Sequence, residues 1–212
     1  MVLGGMLMSC LPLTAHAGSY EDFFVGVNLD RPAIVAPLLA KGFDVNARDP
    51  RGQHALYIAL RENSMQVAEL LMSTPGLQPN AINAAGETLL MMAALRGHLD
   101  AMRHLIALGA EVKREGWTPL HYAASGESLA AVNLLLAQGA DIDARAPNGN
   151  TPLMMAAGFG SIDAADLLMK RGADPSLRNQ AGIDAAEYAR RGDRDELALR
   201  LQRFAAVPKR AP

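Results

Sequence analysis

Between Ser128 and Gln138 the apolar residues Leu129, Val132, Leu135 and Leu136 recur with the spacing of one helix face, and Gly139 stands where a left-handed terminator belongs. Upstream, the string Gly116-Trp117-Thr118-Pro119-Leu120-His121-Tyr122-Ala123-Ala124 predicts another helix. The Thr118 hydroxyl can cap it, Pro119 suits the first helical position because no amide donor is needed there, and Gly116 permits the turn that leads in. Ala123 and Ala124 keep side chains small where the second helix must approach. The predicted unit is a helical hairpin.

That unit recurs. Glycines equivalent to Gly116 fall at Gly52, Gly86, Gly149 and Gly182, in steps of 34, 30, 33 and 33 residues along the chain. A period near 33 predicts stacked units, each burying its apolar face on its neighbours, rather than one mixed core. Trp117 to Ala124 followed by Leu134-Leu135-Leu136-Ala137-Gln138-Gly139-Ala140-Asp141 resembles the ankyrin-repeat family. Asn150-Thr151-Pro152-Leu153-Met154-Met155-Ala156-Ala157 with Gly172-Ala173-Asp174 resembles it almost as closely. The resemblance covers roughly residues 30 to 204 and implies an all-α solenoid of β-turn fingers and antiparallel helix pairs.

Along the chain, residues 18–48 read as a degenerate capping repeat, with helices expected at Ser19 to Asn28 and Arg31 to Ala40. Pro37 falls inside the second, which should therefore be bent or short. Residues 49–177 carry four repeats. The first of these ends in a loop, Ser73 to Pro79, with one extra residue, and the second has Thr88 to Ala94 as its capping string and His104 at an otherwise apolar position. The finger that follows, Lys113 to Gly116, is three residues shorter than its successor, so a notch is expected there with Trp117 at its floor. Residues 178–204 form a polar closing repeat with Asp184 in the capping position, and 205–212 read as a disordered tail.

Residues 1–17 carry no charge, and an apolar block from Val2 to Leu13 precedes Ala15-His16-Ala17, a small-x-small cleavage pattern. This predicts a signal peptide cut after Ala17 and a periplasmic or secreted mature chain, although the basic leader of such segments is missing. The alternatives are an uncleaved apolar N-terminus on a cytoplasmic adaptor and a lipid-attachment box at Leu7-Met8-Ser9-Cys10, which Met8 fits poorly. The apolar block is too short for a stable membrane span.

The net charge of -2 and pI near 6.2 give no electrostatic footprint for nucleic acid. Cys10 is the only cysteine, so one chain can hold no disulfide. The five histidines assemble no site: His98 and His121 stand where the ankyrin pattern itself has histidine, and His104 has no second ligand at helical spacing for zinc. Met91, His121 and Met154 share one register, a combination that invites copper, but equivalent residues of stacked helices lie about 8 to 10 Å apart. No nucleophile–base order, P-loop or dinucleotide turn occurs. The expectation is no cofactor, no metal and no enzyme.

What the resemblance implies is a monomer that binds a protein partner on its concave finger and inner-helix surface. Mapped position by position, that surface comprises Arg51, Arg61, Glu87, Leu95, Arg96, Arg114, Glu115, Trp117, Asn148, Asn150 and Phe159. Trp117 and Phe159 are the aromatic anchor candidates, since large aromatics and arginines carry most binding energy at interfaces. Among exported bacterial proteins of this kind the resemblance implies support of an envelope enzyme or neutralisation of a toxin.

Overall fold

The computed structural model describes residues 14–206. Twelve helices follow one another in pairs: α1 (Thr14–Asn28) and α2 (Pro32–Ala40), α3 (Ala55–Glu62) and α4 (Met65–Met72), α5 (Leu89–Arg96) and α6 (Leu99–Ala107), α7 (Pro119–Ser125) and α8 (Leu129–Ala137), α9 (Pro152–Gly158) and α10 (Ile162–Lys170), α11 (Ala185–Arg191) and α12 (Asp195–Ala205). No strand is formed among the described residues, only isolated bridges such as Arg48 to His54 within the fingers. Each first helix packs on the first helices of the neighbouring pairs, and this inner row is more tightly packed than the outer row from α2 to α10. That difference curves the stack and leaves the inner helices lining its concave side.

The inner helices begin alike for a physical reason. Thr88 and Thr151 accept the amides of Met91 and Met154 on their Oγ1 at 3.2 and 3.3 Å, while the Met91 and Met154 sulfurs accept the Thr88 and Thr151 amides at 3.3 and 3.4 Å. The thioether thus occupies the place of the glutamate in a capping box. His121 does the same through Nδ1, which accepts the Thr118 amide at 3.2 Å, but here the Thr118 hydroxyl bonds the imidazole at 2.9 Å instead of the backbone amide expected. The shared register of Met91, His121 and Met154 therefore belongs to helix initiation, and all three are buried.

The core runs through the whole stack, from Phe23 and Val27 through Leu56, Leu90, Leu120, Leu135 and Leu153 to Leu201. Close approach between repeats depends on missing side chains. A Cβ on Gly160 would lie 1.9 Å from the Ala124 carbonyl oxygen, and one on Gly126 2.5 Å from that of Leu95.

Four expectations are corrected here. The first helix starts at Thr14, ahead of Ser19; the apolar block from Val2 to Leu13, with Cys10, lies outside the described residues. Helix α2 is not short, since its nine residues match the outer helices of the other repeats; Pro37 and Ala33 are both exposed, so the carbonyl that Pro37 leaves unbonded remains solvated. His104 is no core residue: it is half-buried, with Nδ1 3.5 Å from Glu69. Ala205 ends α12 rather than opening a tail, and 207–212 lie outside the described residues.

Candidate functional site

The fingers are built from one device. Asp49, Asn83 and Asn179 each accept two backbone amides on one side-chain oxygen, Arg51 and Gln53, Ala85 and Glu87, Ala181 and Ile183 respectively, closing an Asx turn around a glycine of positive φ. In the Gly149 finger Asn148 replaces this by accepting from the Asn150 amide. Guanidinium groups then lock fingers together. Arg48 donates to the carbonyls of Gly52 and Ile82, and Arg145 to those of Gly149 and Arg178.

The shortened finger departs from this plan. The backbone pairing seen at Asp49–Gln53, Asn83–Glu87, Ala146–Asn150 and Asn179–Ile183 has no counterpart in the Gly116 finger. The expected notch is a cleft of about 510 Å³ between this finger and the next, lined by Val112, Lys113, Arg114, Glu115, Thr118 and Arg145 among others. Trp117 is not in its lining. Its ring is half-buried and lies edge-on to His121 and Tyr122, at centroid distances of 5.3 and 6.4 Å. Sequence spacing revealed the missing residues, but the side-chain direction that turns Trp117 along the inner helices had no signal in it.

The residues preceding the inner-helix caps, Gln53, Glu87, Trp117, Asn150 and Ile183, form a row across the repeats. Glu87 is held by three neutral donors: Tyr57 Oη at 2.5 Å and Asn83 Nδ2 at 2.7 Å on one oxygen, Tyr122 Oη at 2.9 Å on the other. Burial opposes its ionisation, but these three hydrogen bonds win and keep the carboxyl below its usual range. Burial and the bond to Glu87 push both tyrosines well above theirs. Neither tyrosine was singled out in the sequence, and the partners that distinguish them lie 30 and 35 residues away in the chain.

Asn150 is withdrawn from the surface. It is buried, with its Oδ1 accepting from Asn179 Nδ2 at 2.8 Å and Tyr188 Oη at 3.0 Å, and its carbonyl lying 3.0 Å from His121 Nε2. Leu95 is half-buried against the core. Arg114 is half-buried as well and donates to the Gly86 carbonyl at 3.0 Å, so it braces the preceding finger, which has Ile82 where Arg48 and Arg145 stand in others. Arg61 is half-buried between Gln53 and Glu62. Arg51, paired to Asp49, is exposed, as are Arg96, Glu115 and Asn148. Phe159 is 63% exposed with one edge toward Tyr188, the least covered large apolar side chain described. Among the described residues no His, Cys, Asp and Glu cluster could hold a metal, and no helix is long and apolar enough to cross a membrane.

A family model for ankyrin repeats matches three times, over residues 24–115, 70–146 and 110–179. The chain belongs to the ankyrin-repeat family. Ankyrin repeats are protein-interaction modules, and this ankyrin chain shares 34% identity over 98 residues with mouse ankyrin repeat and SAM domain-containing protein 6, covering 44% of the chain and 11% of that relative. It shares 32% over 96 residues with rat NF-kappa-B inhibitor alpha, covering 43% and 31%. A bacterial ankyrin repeat protein, from Rickettsia felis, is 31% identical over 117 residues, or 52% of the chain and 38% of its own length. The chain thus spans well under half the length of these curated relatives. A solved structure matches more completely: a chain from the Bd0816 predatory endopeptidase of Bdellovibrio bacteriovorus in complex with immunity protein Bd3460 superposes with a TM-score of 0.73 at 27% identity, over 86% of this chain and 97% of that one.

Proposed function

We infer that this ankyrin chain is a non-catalytic binding module that engages an enzyme on its concave finger and inner-helix face, as an immunity-type protein does, in the periplasm or outside the cell. The observation that carries the reading is the near end-to-end correspondence with a chain from an endopeptidase–immunity protein complex, at 86% and 97% coverage. Short domain fragments recur in unrelated architectures, but correspondence over a whole chain supports a shared mode of use. Export rests on the apolar segment and the Ala15-His16-Ala17 pattern. The alternative is an uncleaved apolar N-terminus on a cytoplasmic adaptor.

The exposed members of the mapped surface, Arg51, Arg96, Glu115, Asn148 and Phe159, are the contact residues in this reading. The test is capture of the partner from the native cell by tagged protein, followed by assay of the captured enzyme with and without stoichiometric ankyrin chain. Phe159→Ser should weaken capture about thirtyfold, the loss of an anchor worth about 2 kcal/mol, with melting unchanged. Capture that survives Phe159→Ser and Arg96→Glu together, or a partner with no activity to suppress, overturns the reading. Mass analysis of the native protein decides location, since export leaves a chain beginning at Gly18.

A further inference from the structure

Glu87 carries more charge than its structural task requires. Its register in the Gly149 repeat is filled by Asn150, which also accepts a tyrosine hydroxyl from the following repeat and an asparagine amide. A neutral acceptor therefore suffices to stitch neighbouring inner helices together. Glu87 does the same stitching with an ionised carboxylate, and ionised groups leave water at a cost that is ordinarily repaid by a counter-charge.

No cation is paired directly with Glu87. Among the described residues no Lys, Arg or His nitrogen lies within 4.0 Å of the Glu87 carboxylate. Arg61 and Arg114, whose charges reach Tyr57 and Tyr122, make their hydrogen bonds elsewhere, Arg61 to Gln53 and Glu62, and Arg114 to the Gly86 carbonyl. The α5 N-terminus and three neutral donors keep the charge in place without cancelling it. Glu87 remains partly accessible, whereas Asn150 is buried.

The walls suit a cation. Tyr122 is half-exposed above one carboxylate oxygen, and Trp117, next in the same row, stands edge-on to Tyr122 at 6.4 Å. A cation seated at Glu87 would meet a fixed negative charge, with the Tyr122 and Trp117 side chains on the same row to pack along its stem, a combination that favours guanidinium and ammonium groups over neutral ones. We propose that Glu87, Tyr122 and Trp117 form a recognition subsite for an arginine or lysine side chain of the protein partner. This deepens the concave-face reading and rests on it, but the subsite can be tested without the partner.

Trp117 is the only tryptophan in the chain, so its indole N–H gives a single NMR resonance at the subsite. N-acetyl-arginine amide should shift that resonance saturably, while the uncharged isostere N-acetyl-citrulline amide should not. Glu87→Gln should weaken the arginine response at least about fivefold and leave the melting temperature unchanged, because a neutral acceptor keeps the stitch. Glu196→Gln, an exposed charge on α12, should alter neither. Three results overturn the proposal: no saturable response to arginine, an equal response to citrulline, or a Glu87→Gln protein that binds normally. A marked fall in melting temperature on Glu87→Gln overturns it too, since the charge would then be structural; Glu87→Asn, the residue the Gly149 repeat uses, checks that result. Failure here with capture still sensitive to Phe159→Ser would remove the subsite and leave the concave-face reading standing.

Discussion

His54 caps α3 with an imidazole where the regular repeats use threonine. Its Nδ1 accepts the Leu56 amide at 3.1 Å, so the proton resides on Nε2, 3.2 Å from Asn46 Oδ1. Burial, and then the Arg48 charge, lower its pKa from the ordinary 6.5 to about 4. The unfolded imidazole takes up a proton from about pH 6.5 downward and the folded one resists to about pH 4, so acid favours the unfolded chain across that interval. Stability should be full above pH 6.5 and fall by on the order of 3 kcal/mol by pH 4. His121, lowered by burial against the opposing pull of its bonds to the Asn150 and Ala144 backbone, adds in the same direction. Denaturant midpoints between pH 7.5 and 4.5 check this, and His54→Asn, which keeps a capping oxygen, should flatten the slope. At the same scale, Trp117 is a half-buried packing residue as well as a surface one, so Trp117→Ala should cost about 1 to 2 kcal/mol. A loss that large makes Trp117→Ala unsuitable as a pure binding control, for which the exposed Phe159 serves better.

Helices follow from periodicity because each element is initiated and ended by local chemistry. Leu129 to Ala137 forms α8 within one residue of the Ser128 to Gln138 span, since the Ser128 cap and the left-handed Gly139 lie in the string itself. The site was less legible. Asn150 looks like a finger-tip amide until Tyr188 and Asn179 arrive from the next repeat, and Arg114 looks like a rim charge until Gly86 lies beneath it. Those contacts are fixed by the offset between repeats, which no single repeat encodes. Two substitutions test the packing between elements. Leu135→Ala, at a fully buried α8 position, should cost about 2 to 5 kcal/mol by chemical denaturation. Gly160→Ala sets a methyl 1.9 Å from a backbone oxygen, a clash only a shift of α9 against α7 can relieve, and should destabilise by more than about 1 kcal/mol.

At the scale of the whole molecule, the ties between fingers are unequally distributed. Arg48 joins the Gly52 and Gly86 fingers, Arg114 joins Gly116 back to Gly86, and Arg145 with Gln180 joins Gly149 to Gly182. Among the described residues no arginine hydrogen bond joins the Gly116 and Gly149 fingers; the His121 to Asn150 bond bridges them beside the 510 Å³ cleft. On this distribution of ties the row of fingers should behave as two stiffer plates meeting at a crease. Bending of the finger row should concentrate on that line, where the packing of α7 on α9 and the His121 to Asn150 bond hold the two sides together. Flexing at the crease would let the concave face adjust to a partner of fixed shape, and amide exchange at Asn150 and Gly149 faster than at Glu87 and Gly86 would reveal it.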